Sequence, residues 1–232
     1  QSPWSLADLY QGFDDPQYEA AFDEIRQGAE RFQAYREQLT PEISEELFIS
    51  IITDFEHFYR LISRLGGFTQ LAFAGDTQDQ AAQAQMARAD QFQAEISNQT
   101  LFFNLWWKAL DDANAERLLK AAGDYHYWLV AMRNFKDYTL SEPEEKIINI
   151  KDVTGVSALN MLYDSITNRY TFKIEVEGEM KELTRGEIAT LVREPDPEIR
   201  ARAYQTMFEV YEADAPILGQ IYQTLVRDWR NE

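Results

Sequence analysis

Apolar residues recur every three or four positions along most of this chain, and that spacing constrains its fold more than any other feature. From Gln17 to Leu39 they are Tyr18, Phe22, Ile25, Ala29, Phe32 and Leu39, with Tyr35 beside them. Such steps set one stripe of an α-helix against a core. Asp14, Asp15 and Pro16 upstream supply cap and first-turn chemistry. After Pro41, a second stripe follows through Leu47, Ile51, Phe55, Phe58, Ile62 and Leu65, and the Gly66-Gly67 pair is expected to end it. Each stripe is too apolar to leave in water, so the two helices are expected to pack together.

Asp76 or Thr77 is expected to cap a third helix, Gln78 to Gln99, with a thin stripe of Ala82, Met86, Ala89, Phe92 and Ile96. Its Ala and Gln are good helix formers, so it reads as cover for one side of a bundle rather than as an interaction surface. Leu101 to Leu110 continues it with Phe102, Phe103, Trp106 and Trp107. Core packing is the reading for these rings; a surface for apolar side chains is the alternative. Asn114 is expected to cap a helix carrying Leu118, Leu119 and Ala122, which Gly123 interrupts before the pattern resumes through Tyr125, Trp128, Leu129, Met132 and Phe135.

Ser141-Glu142-Pro143-Glu144 and Thr184-Arg185-Gly186-Glu187 both fit a capping box. Between them Tyr170, Phe172, Ile174 and Val176 alternate with polar residues, and Glu177-Gly178 turns the chain toward Met180 and Leu183. That pattern is a β-hairpin. Asp196-Pro197 opens the last long helix, through Ile199, Ala203, Met207, Val210, Ile217, Ile221, Leu225 and Trp229, which Pro216 should kink. The fold class expected is therefore mainly α: a multi-helix bundle or array with one small β-hairpin near residues 169–183.

The 232 residues hold 22 Lys+Arg against 40 Asp+Glu, a formal charge of −18. A field of that sign repels polyanions, which argues against nucleic acid and anionic membrane as partners. Zero cysteines exclude disulfides and thiolate chemistry, and two histidines exclude a three-histidine zinc site within the chain. The greasiest window, Leu101 to Trp107, falls far short of the roughly 20 residues a membrane span needs. A soluble, cytoplasmic protein is the expectation. Thr224 to Glu232 reads as a helix still running, so the chain is expected to be part of something longer. Residues 1–107 hold 6 Arg, no Lys and 17 acids, while all seven lysines lie from Lys108 onward. This step suggests an acidic helical region over 1–107, a second helical region over 108–184 ending in the hairpin, and further helices over 185–232.

Catalytic constellations are scarce. In Asp54-Phe55-Glu56-His57, Asp54 and His57 have the spacing of half a carboxylate-bridged metal site, but the second pair is missing because Gly123 stands three before His126. His57 reads instead as a partly buried, hydrogen-bonded histidine, and His126 as a packing histidine among Tyr125, Tyr127 and Trp128. Glu144-Glu145 are neighbours on a helix and do not face one another, so capping explains them. No residue is assigned as catalytic, cofactor-binding or metal-ligating.

The chain nevertheless resembles the N-terminal part of the oligoendopeptidase F family, zinc metallopeptidases related to thimet oligopeptidase. The opening Trp4-Ser5-Leu6-Ala7-Asp8-Leu9-Tyr10, then Gly12 and Asp14-Asp15-Pro16, is similar to that family's start. Tyr138-Thr139-Leu140-Ser141-Glu142-Pro143-Glu144-Glu145-Lys146-Ile147-Ile148 is similar to its His-Thr-Leu-Ser-x-x-Glu-Glu stretch, with Tyr138 where histidine is usual. The hairpin with Leu183-Thr184, then Pro195-Asp196-Pro197-Glu198-Ile199-Arg200-Ala201-Arg202-Ala203-Tyr204, continues the match.

The resemblance implies a helical N-terminal type of region over 108–184 and the first helices of a peptidase domain over 185–232. Family members bind zinc through His-Glu-x-x-His plus a downstream glutamate, none of which is present here, so no ligand carries over to this chain. It implies zinc in the full-length enzyme and none on this segment, which is expected to be inactive alone and to form one wall of a channel. Implied partners are short peptides and the catalytic half of the enzyme, with an exposed apolar face offering dimerisation. A stand-alone helical scaffold or adaptor is the alternative function.

Overall fold

The computed structural model describes residues 5–176 and 178–231. Trp4 of the opening motif and Glu177 of the hairpin turn lie outside them. Among the described residues the chain is helical apart from one two-stranded hairpin, and it divides into two compact units, residues 1–153 and 154–232. The charge step at Lys108 falls inside the first.

Helix α1, Pro16–Gln33, begins where Asp15 accepts the Gln17 N–H at 2.9 Å and Pro16 fixes the first turn. It buries Tyr18, Ala21, Phe22, Ile25, Ala29 and Phe32 and stops at Gln33, so Tyr35 and Leu39 of the expected stripe lie beyond it, on either side of a 3-10 turn, Arg36–Gln38. Helix α2, Glu45–Gly75, is capped by Ser44. It does not end at Gly66-Gly67: Phe68, Thr69 and Phe73 beyond the pair are buried, and the Thr69 hydroxyl donates to the Gly66 carbonyl at 3.0 Å. Two glycines weaken a helix by roughly 1 kcal/mol each; burying two more phenylalanines, at about 1.5–3 kcal/mol per side chain, outweighs that.

Helix α3 runs Gln80–Ala109, and its cap is Asp79 rather than Asp76 or Thr77. Asp79 accepts from the Ala81 and Ala82 N–H groups, while Asp76 closes a local turn onto Gln78. Helix α4, Asp112–Ala121, is capped by Asp111, and Asn114 donates to that cap instead of being one. Gly123, at φ 54°, starts a 3-10 turn to Tyr125 that leads into α5, His126–Arg133. Helix α6, Glu142–Asp152, carries the expected Ser141/Glu144 capping box.

Two cores hold the first unit. One gathers Phe32, Phe48, Phe55, Phe102, Phe103, Trp107, Leu118 and Leu129. The other gathers Tyr10, Tyr18, Phe22, Ile25, Phe58, Phe68 and Phe92. Trp107 is fully buried and its indole N–H donates to the Leu129 carbonyl at 3.0 Å, which satisfies the one polar atom it brings inside. The aromatic run 102–107 is thus core, as expected, except for half-buried Trp106.

After a π-helical turn, Val153–Ser157, the second unit comprises α7 (Ala158–Thr167), β1 (Phe172–Val176), β2 (Glu179–Leu183), α8 (Arg185–Leu191), α9 (Pro197–Ala213) and α10 (Ala215–Asn231). The strands are antiparallel with Phe172 opposite Leu183 and Val176 opposite Glu179. Phe172, Ile174 and Val176 point into a small core with Ile188 and Ala203. Pro216 does more than kink the last helix: α9 stops at Ala213 and α10 restarts at Ala215, with Pro216 in the new first turn, where its missing N–H costs nothing.

Candidate functional site

One cleft of the first unit grows from helical spacing. Ile52, Phe55, Glu56 and Tyr59 lie along one side of α2; Trp128 and Met132, four residues apart on α5, face them. Tyr125 enters from the turn that Gly123 starts, and Asn104 from α3. Together they line a cavity of about 320 Å³, at the small end of ligand pockets.

Half of the lining residues are aromatic. Phe55 stands 4.7 Å from Tyr59 and 5.8 Å from Trp128, centroid to centroid. Glu56 is the one carboxylate in the lining. Its carboxylate accepts the Tyr125 hydroxyl at 2.7 Å and an Arg60 guanidinium N–H at 2.7 Å. Those two contacts, the phenol foremost, hold its pKa below the usual carboxylate range, so it is charged at neutral pH. Asn104 Oδ1 is buried without a hydrogen-bond partner, an uncommon condition for a native polar atom.

Asp54 and His57 line a second cleft, of about 220 Å³, with Glu24, Arg31 and Tyr35 among their neighbours. Asp54 accepts the Tyr35 hydroxyl. His57 is exposed rather than partly buried, because its position on α2 falls outside the stripe that faces the cores. His126 is likewise exposed, not a packing residue; its Nδ1 lies 3.1 Å from the Leu119 carbonyl, which can only accept, so that nitrogen carries the proton. No group of three His, Asp or Glu side chains suited to a metal ion occurs among the described residues.

Glu144 and Glu145 serve the backbone. Glu144 accepts the Ser141 N–H at 2.9 Å and Glu145 the Leu140 N–H at 3.0 Å, so the Leu-Ser-x-x-Glu-Glu run is a helix entry. Glu142 has another role, and its partner Arg36 is one that no local pattern foretold. It receives the Arg36 guanidinium through both oxygens, at 3.0 and 2.5 Å, and the Lys146 ammonium at 2.6 Å. These hydrogen bonds, Arg36 first, lower its pKa from 4.5 to about 2.

Residues 106–172 match the family model described as Oligopeptidase F. The chain resembles the N-terminal part of an oligoendopeptidase F. Its fold is similar to the crystal structure of oligoendopeptidase-F from Enterococcus faecium, with a TM-score of 0.66 at 20% identity over 90% of this chain and 43% of that one. A Chlamydophila abortus protein with a provisional peptidase assignment is similar at a TM-score of 0.51 and 16% identity, over 97% of this chain and 38% of that one. At such identities the likeness is one of fold, and this chain spans less than half the length of either. No curated protein matches it in sequence. The oligopeptidase F segment contributes Tyr125, Trp128 and Met132 to the first cleft and contains the Tyr138–Ile148 helix entry.

Proposed function

We propose that this chain is the N-terminal, non-catalytic portion of an oligoendopeptidase F-like zinc metalloendopeptidase that hydrolyses short peptides in the cytoplasm, and that it forms part of the wall of the substrate channel. The observation that carries this reading is the Oligopeptidase F match over residues 106–172, with a similar fold along 90% of the chain. No helix among the described residues is long and apolar enough to cross a membrane.

Zinc does not fit the donors present here. The chain has no cysteine and two histidines, and the described carboxylates and imidazoles form no three-ligand group. In this reading the metal and the base that acts on its water belong to the catalytic half, and this segment supplies walls. An acidic wall raises the local concentration of basic and neutral peptides over acidic ones. The coding sequence beyond Glu232 tests the reading: a His-Glu-x-x-His motif is expected there. A stop codon immediately after Glu232 would overturn it in favour of a helical adaptor.

A further inference from the structure

The cleft of α2 and α5 combines three properties that a channel wall does not require. Four rings line it, from Phe55, Tyr59, Tyr125 and Trp128. One carboxylate, that of Glu56, lines it, and no cationic side chain does. The buried side-chain oxygen of Asn104 makes no hydrogen bond within the protein and is an unspent acceptor. Asn104 lines the cavity, and a turn about its soft last torsion would bring that oxygen to it.

We infer that this cleft binds a small organic ammonium ion with an apolar body, held by Glu56 and Asn104 and flanked by the aromatic rings. Ring faces attract a cation through their quadrupole, and the attraction grows as water is excluded. The carboxylate and the amide oxygen are both acceptors, which matches a group that only donates. Ile52 and Met132 complete an apolar lining suited to a ring or a branched alkyl chain. A cavity of about 320 Å³ accommodates one such group rather than a long segment of peptide. The competing cation is Arg60, which pairs with Glu56 at 2.7 Å and whose side chain is 73% exposed. A surface pair of that kind is weak and readily exchanged. The site stands independently of the peptidase reading: it requires only these residues, all within the first unit.

Calorimetric titration of the purified protein with phenethylammonium, 2-phenylethanol and 3-phenylpropionate tests the inference. The ammonium is expected to saturate in the millimolar range or tighter, about tenfold tighter than the alcohol, while the carboxylate does not bind. Glu56→Gln should reduce the ammonium to the affinity of the alcohol, with an unchanged circular dichroism spectrum. Arg60→Gln should tighten binding by removing the competitor. Equal affinities for ammonium and alcohol, no saturation in the millimolar range, or indifference to Glu56→Gln would overturn the site. A phenylalanyl peptide with a free amino terminus and its N-acetylated form identify the source of the ammonium. Binding of the free form alone points to a peptide terminus; binding of phenethylammonium with neither peptide points to a free amine. Equal binding of both peptides would contradict ammonium recognition.

Discussion

Gly28 lies in α1 where that helix crosses α2, and a Cβ built there would stand 2.9 Å from the ring of buried Phe58. Glycine to alanine inside a helix ordinarily stabilises by roughly 1 kcal/mol. Overpacking against an immobile ring costs about 1–3 kcal/mol, so Gly28→Ala is expected to lower stability by about 1 kcal/mol, read as a lower urea midpoint. An increase would mean that the helices do not approach this closely. Glu142 gives a pH prediction. Its pKa is depressed in the folded chain, from 4.5 to about 2, so its contribution is fully present above about 4.5 and fades as pH falls toward 2. Glu142→Gln should therefore cost stability at pH 7 and lose that deficit near pH 2, in urea titrations run at both. A deficit independent of pH would refute the ion pairs with Arg36 and Lys146.

Helices were legible because spacing is local information. The stripes of α1 and α2, both capping boxes and the alternation of Phe172, Ile174 and Val176 all reappear in the structure. Ends were less legible. Asp76 and Asp79, like Asp111 and Asn114, compete within a few residues, and propensity cannot choose between good caps. Gly66-Gly67 read as a stop because the burial that carries α2 past them comes from other helices. A Cβ at Gly67 would meet nothing within 4 Å. Gly67→Ala should thus raise the melting temperature, by about 1 kcal/mol of added stability; a loss would mean that α2 needs flexibility there. The clefts were not legible at all. Tyr125 meets Glu56 across 69 residues and Arg36 meets Glu142 across 106, separations at which side-chain periodicity carries no information.

At the scale of the molecule, the chain is two helical units with an acidic composition and a fold shared with a peptidase more than twice as long. The resemblance seen in the Tyr138–Ile148 run falls within the segment that matches Oligopeptidase F. Its glutamates turn out to be caps and ion-pair partners, so the likeness there is one of architecture rather than chemistry. The proposed function therefore rests on a separation between the residues that enclose a substrate and those that cleave it. Incubating the homogeneous 232-residue chain with a quenched fluorescent peptide, with and without added zinc, tests that separation most directly. Background rates are expected in both; zinc-stimulated turnover that co-elutes with the chain and is abolished by a chelator would contradict it.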